Sequence, residues 1–371
     1  MKFWVKLLTL LLAMLMITAS FVACDSEDEE APPAEEPVEK PTETVEKEID
    51  VYFIAGQSNA AGHTKIKDAE ALYADFPALK TGTAPYIQYA GNARGDRAVG
   101  DTREVVNNKK DWQGVTLGMG AGSTNMGPEV GMAYALSAYY NEQTGKHAGI
   151  IKFAHGGTGL AKTNGDGSNA FGDWSPPSYE TWKENDETYG YIGGLYRAFL
   201  EEAEQRLYEL KQAGYTKINI KGLYWMQGCN DTWRYLSDKI AYPRSFSYLV
   251  SDLRADLSDL MKDLQGNYGG AQDMPFFIGT ISRSYRLDTG VEATNNRNLP
   301  FIEMQKKLAE NNENCYVVDN SGYDVMVWDE DANNAVVVGT DSAHWGQADC
   351  YAIGKNVGNK MLSVCTPYQP S

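Results

Sequence analysis

The sequence predicts a three-layer α/β/α fold with a mainly parallel central sheet. Two observations predict it. From residue 49 onward strand-like runs alternate with amphipathic helical runs, and those strands are apolar throughout rather than at every second position. Such alternation builds crossover connections, and a strand with no polar face has to be covered on both sides. No repeat and no second low-complexity linker interrupts residues 49–371, so they read as one domain.

Two segments precede it. Residues 1–24, "MKFWVKLLTLLLAMLMITASFVAC", have a short basic start, an apolar run and a small-residue close, which is the pattern of a secretory signal. "FVAC" resembles a bacterial lipobox, whose cysteine becomes the lipidated first residue of the mature protein. Cys24 is therefore expected to anchor an exported protein at the cell surface or in the periplasm; ordinary cleavage near Ala23 would leave it secreted. Residues 25–48 are rich in Asp, Glu and Pro and lack any aromatic, so they are expected to be a solvated, disordered tether. Of the formal net charge of −17, residues 49–371 keep −10. A domain that acidic is a poor partner for nucleic acid, whose binding rests on Lys and Arg neutralising phosphates.

Within the domain, "IDVYFIAG" (49–56), "AGIIKFA" (148–154), "KINIKGLYWMQ" (217–227), "MPFFIGTIS" (274–282) and "CYVVD" (315–319) read as strands. Helices are expected over 128–145, where Pro128 opens and Gly145 stops, and over 193–214, where Leu195, Phe199, Ala203, Leu207 and Leu210 recur at helical spacing. Three more follow at 242–264, 299–312 and 346–364. Cys350 and Cys365 flank the last of these and are the first candidates for a disulfide, although the ends of a straight helix do not meet. No C-x-x-C pair is present, which argues against a zinc knuckle or a thioredoxin-type site.

"FIAGQSNAAGH" (53–63) puts a serine among small residues directly after the first strand. Ser58 there suits a helix cap, a phosphate cradle or a nucleophile. "GGTGLAKT" (156–163) falls one residue short of a phosphate-binding loop and no helix pattern follows it. "GMGAGSTNMG" (118–127) imitates a dinucleotide loop, but no apolar strand leads into it. No H-x-x-x-H occurs, so no metal or other cofactor is expected. Of the four histidines, His147 sits in a turn, His63 and His155 follow strand ends, and His344 lies in "TDSAHW", three residues after Asp341. A carboxylate on the same short loop accepts the Nδ1 proton and leaves Nε2 to take one from a hydroxyl. "QGCND" (227–231) closes another apolar strand. In a parallel sheet ligands sit beyond the carboxyl ends of the strands. A hydroxyl, a glycine pair and a carboxamide thus reach one rim, and these are parts for acyl transfer.

The ordered blocks "GQSN", "GGT", "GCND" and "DSAH" resemble the SGNH hydrolase superfamily. "GQSN", "GPE" (127–129), "GGT" and "W-x-Q-G" together are similar to its sialate O-acetylesterase and acetylxylan esterase branch. Gln57 stands where lipase-like members have aspartate, and Cys229 where the branch often has glutamate. The resemblance implies a flavodoxin-like fold and a serine esterase that removes O-acetyl groups from carbohydrate. It implies Ser58 as nucleophile, His344 as general base and Asp341 as its orienting acid. The Ser58 and Gly157 N–H groups and the Asn230 amide would form the oxyanion hole, with Gly156 as fallback for Gly157. Gln57, Gln227, Glu129 and Trp345 are the expected substrate contacts, and Trp112, Trp174, Trp182 and Trp233 are candidates to stack on sugar rings. Two alternatives stay open: a lipase or thioesterase on the same fold, and a carbohydrate-binding surface protein without turnover.

Overall fold

β1 (Glu48–Gly56) is buried from Ile49 to its end, and it lies in the middle of a seven-stranded sheet. The computed structural model describes residues 47–94, 107–160, 173–179, 192–232, 235, 238–265, 271–285, 298–323, 325 and 343–368. Contacts divide the chain into Met1–Val45 and Glu46–Ser371, and every described residue belongs to the second unit. The domain takes in the last two residues of the acidic segment. Glu48 opens β1, and Lys47 exchanges backbone and side-chain hydrogen bonds with Thr216.

The other strands of the sheet are β3 (Ile87–Arg94), β4 (Asn107–Gly114), β6 (Ala148–His155), β7 (Lys217–Met226), β8 (Phe276–Gly279) and β9 (Cys315–Val318), in the order β4-β3-β6-β1-β7-β8-β9. All neighbours are parallel except β3 and β4. A two-residue ribbon, β2 (Thr64–Lys65) with β5 (Asn125–Met126), stands apart, and a short helix, α2 (Ala69–Asp75), follows β2. The chain builds outward from β1 in both directions, to β6 on one side and to β7 on the other. The carboxyl ends of these three strands are level, with Gly56 paired to Ala154 and to Met226.

Helices cover both faces. Successive residues of a strand point to opposite faces, and on β1 Tyr52 meets Tyr140 whereas Phe53 meets Phe199. Phe199 lies on α4 (Gly194–Gln212), which packs against α5 (Ala241–Gln265); α5 in turn packs against α6 (Leu299–Asn311). On the Tyr52 side, α3 (Glu129–Leu136) packs against α7 (Gln347–Cys365). Leu195, Phe199, Ala203, Leu207 and Leu210, the helical stripe read from the sequence, are all buried. The helix expected over 128–145 stops at Leu136. Beyond it the Ser137 hydroxyl donates back to Tyr134 O, and Asn141 and Thr144 form side-chain turns that compete with helical bonding.

β3 and β4 were not expected. β4 is an edge strand of polar residues, and its one large apolar side chain is Trp112. Cys229, Cys315, Cys350 and Cys365 are all free thiols. Cys350 and Cys365 stand about 22 Å apart along α7, at ~1.5 Å per residue, so the suggested disulfide is absent for the geometric reason anticipated. No helix among the described residues is long and apolar enough to cross a membrane.

Candidate active site

Ser58 opens α1 (Ser58–Ala61), a single helical turn that follows β1 after one residue. The turn is abrupt because Gly56 takes a φ of 137°, and a side chain there would collide with the Met226 carbonyl. The Gln57 N–H donates to that same carbonyl at 3.0 Å, which pins the exit from β1 to the end of β7. Ser58 is 5% exposed. Beside it β6 ends at His155, and the chain enters Gly156 and Gly157, the latter at a φ of 66°. The Gly156 N–H donates to Arg94 O at 3.1 Å, so it is spent within the fold. β7 gives way through Gln227 and Gly228 to a 3-10 turn, Cys229–Asp231, that carries Asn230.

Side chains tie these three strand ends to one another. Gln57 Oε1 accepts from the Gly228 N–H (3.1 Å), the Asn230 N–H (3.4 Å) and Gln227 Nε2 (3.3 Å). Gln227 Nε2 also donates to Thr158 O at 2.9 Å and to Asp231 Oδ2 at 2.6 Å. Asp231 Oδ2 accepts the Leu160 N–H at 3.0 Å, and Asn230 Nδ2 donates to Gly157 O. Gln57, Gln227 and Asp231 are all buried, so these bonds are made where water does not compete. The web fixes the backbone of Gly157 and the amide of Asn230 relative to Ser58.

The late block docks on the first. Asn59 Nδ2 donates to Ala343 O at 3.1 Å, so the residue after Ser58 holds the residue before His344. Thr64 Oγ1 donates to Trp345 O at 2.9 Å. Gln347 Oε1 accepts the Lys67 and Asp68 N–H groups at 2.7 and 3.0 Å, and its Nε2 donates to Asp68 O at 2.7 Å. The His63 and His344 rings stack, with centroids 4.7 Å apart and planes 19° from parallel. Four blocks scattered from Gln57 to Gln347 therefore converge on the carboxyl end of β1.

A sequence profile described as carbohydrate esterase, sialic acid-specific acetylesterase, matches residues 48–362. The chain belongs to this family. The solved structure of NanS shares the fold: it is 15% identical at a TM-score of 0.51, over 86% of this chain and 98% of that one. A protein of Arabidopsis thaliana is 17% identical at a TM-score of 0.47, over 85% and 98%. A carbohydrate acetylesterase from Xanthomonas citri is 14% identical at 0.44, over 85% and 56%. No curated protein matches the chain in sequence.

Within this esterase several expected contacts have other partners. Glu129 is fully buried; its Oε2 faces Lys152 Nζ at 2.9 Å and its Oε1 accepts the Gly127 N–H at 2.8 Å. Gln57 and Gln227 are buried in the web just described, and Trp345 is 1% exposed. Trp174 is fully buried against Phe153, Phe199 and Trp225. Trp112 packs on Gly149, at the amino end of β6 and away from the site. Asp341, Trp182, Trp233 and Cys24 lie outside the described residues.

His155 is buried, its Nδ1 lies 2.8 Å from Gly156 O, and burial depresses its pKa with the nearby Arg94 adding to the effect. Sequence reading missed Asn59, Thr64 and Gln347 altogether. The signal available was that amide and hydroxyl side chains follow or flank each catalytic block, but their partners lie about 280 residues away. Among the described residues no group of three or more His, Cys, Asp or Glu side chains could hold a metal ion.

Proposed function

We propose that the esterase removes O-acetyl groups from carbohydrate through an acyl-enzyme on Ser58. Ser58 Oγ bonds to the acetyl carbonyl carbon while its proton passes to His344 Nε2. Asp341, three residues before His344, orients the imidazole and stabilises the imidazolium. The carbonyl oxygen gains the negative charge and is met by the Ser58 and Gly157 N–H groups and the Asn230 amide. The carbon–oxygen bond to the sugar then breaks, and His344 returns the proton to the sugar oxygen. A water, deprotonated by His344, attacks the acyl-enzyme and releases acetate.

One observation carries this reading: the interlocking bonds that hold Gly157 and Asn230 against the Ser58 turn, with Ala343 fastened to Asn59. The near-burial of Ser58 favours a short acyl group over the broad apolar groove that a lipase needs. Acetate release from acetylated sialic acid, acetylated xylan and p-nitrophenyl acetate tests it and ranks the substrates. Longer p-nitrophenyl esters cleaved faster than acetate would favour the lipase or thioesterase reading, and no release from any of them would favour a binding protein.

From the lipobox-like "FVAC" we further propose that the enzyme works outside the cytoplasm, held by lipid at Cys24. Replacing Cys24 with serine should release active protein from the membrane fraction. Wild type already free in the medium without proteolysis would overturn the anchor.

A further inference from the structure

Lys152 is the one fully buried lysine among the described residues, and the reaction above gives it no part. It stands on β6, three residues before His155, inside a strand that is buried at every position. An ammonium has three N–H donors, and here each has an acceptor: Glu129 Oε2 at 2.9 Å, Met119 O at 2.8 Å and Ala61 O at 3.1 Å. Burial pulls its pKa down and Glu129 opposes that shift.

Ala61 closes the turn that Ser58 opens. A helix ends with carbonyls that have no partner within it, and in a helix of four residues their partners decide where the whole turn sits. Ser58 O accepts the Gly62 N–H at 2.8 Å, Gly62 O accepts the Ala121 N–H at 2.8 Å, and Ala61 O takes the ammonium. Met119, Ala121 and Gly127 all belong to the segment from Gly118 to Gly127, so the glycine-rich stretch that imitates a dinucleotide loop is instead the bed of the Ser58 turn. Lys152 joins that bed, the turn and the first residue of α3 at a single atom.

A buried ion pair is a costly way to gain stability, since apolar residues of similar volume often do as well or better. Methionine cannot, however, bond to the Ala61 carbonyl. We infer that Lys152 is a positioning residue for the nucleophile: through Ala61 it fixes the turn on which Ser58 rides, and Glu129 keeps the ammonium charged and aimed. This rests on Ser58 being the nucleophile.

The test is the double variant Lys152→Met with Glu129→Met, compared with wild type and Ser58→Ala. Three quantities are read: thermal midpoint, kcat and KM on p-nitrophenyl acetate, and the rate at which a fluorophosphonate labels the serine. The expected result is a folded protein whose midpoint falls only by the loss of the acceptor for the Gly127 N–H, an unchanged KM, and a drop of about 10- to 100-fold in kcat and in labelling rate, the size that small misplacements of reacting groups produce. Wild-type kcat in the folded double variant overturns the inference and leaves the pair purely structural. Should the double variant not fold, Glu129→Gln keeps the volume and one acceptor; kcat is then expected to fall severalfold at constant KM, and an unchanged kcat overturns the inference equally. A wild type that neither cleaves esters nor takes the label would instead strike at the role of Ser58.

Discussion

The two ends of β1 carry two buried polar networks of opposite design. At the amino end Tyr140 OH donates to Asp50 Oδ2 at 2.8 Å and meets Tyr52 OH at 2.8 Å, while Asn219 Nδ2 donates to Asp50 Oδ1 at 2.8 Å. Those are side chains bonding to side chains: Asp50, Tyr52 and Asn219 stand on strands whose backbones the sheet already fixes, and Tyr140 reaches them from the segment beyond α3. At the carboxyl end Gln57, Gln227 and Asp231 bond mainly to main-chain groups of loops that no sheet holds. The first network adds stability to a backbone already placed. The second places a backbone, and with it the groups proposed as oxyanion donors.

The largest effect separating the ends is at Ser58. Ser58→Ala or His344→Ala should each lower kcat by at least about 10⁴-fold without unfolding the protein, because members of such a set act as a unit. A Ser58→Ala enzyme with most of its turnover would remove the carboxyl end from the chemistry altogether. Next is Asn230→Ala, expected to lower kcat about 10²- to 10³-fold with little change in KM, since on the proposed mechanism its amide meets charge present mainly in the transition state. A raised KM at constant kcat would show a substrate-binding or turn residue instead.

A matched pair then compares the networks directly. Gln57→Leu leaves two backbone N–H groups without their acceptor and should lose both stability and about tenfold in kcat. Tyr140→Phe should cost about 1–2 kcal/mol in urea unfolding and leave kcat unchanged. If Tyr140→Phe impairs kcat as much as Gln57→Leu, the distinction between stabilising and placing collapses. The smallest effect concerns His155. Its pKa is depressed in the folded state, so between that value and about 6.5 the unfolded chain binds more protons. Its contribution is complete above about pH 6.5 and is lost as the pH falls through the folded value. His155→Gln should therefore flatten the acid limb of stability against pH, as measured by urea midpoints; an unchanged slope would exclude it as the source.

The strands and helices that bear the site were legible in the sequence because continuous apolar runs mark the centre of a parallel sheet. β3 and β4 were not, because "IQYAGNAR" mixes small and polar residues and "NNKKDWQG" has no apolar face. Ser58, Gly157, Asn230 and His344 could be read as four ordered blocks. What the blocks could not convey was direction. Gln57, Gln227, Glu129 and Trp345 sit where motif reading put them, yet their side chains turn inward. A single letter in "AGIIKFA" was the overlooked clue: a lysine inside a buried strand has to find a carboxylate, but nothing in its spacing from Glu129 says which.

The docking of residues 343–347 onto residues 59–68 also sets a timetable. β9 is the last sheet strand among the described residues and is complete at Val318, so the described sheet and the Ser58 turn can assemble before His344 arrives. Asn59, Thr64, Lys67 and Asp68 then wait for partners nearly the length of the chain away. On the proposed mechanism, a nascent chain therefore carries its serine with no base to activate it. Competence arrives at one stroke, when the closing segment lands.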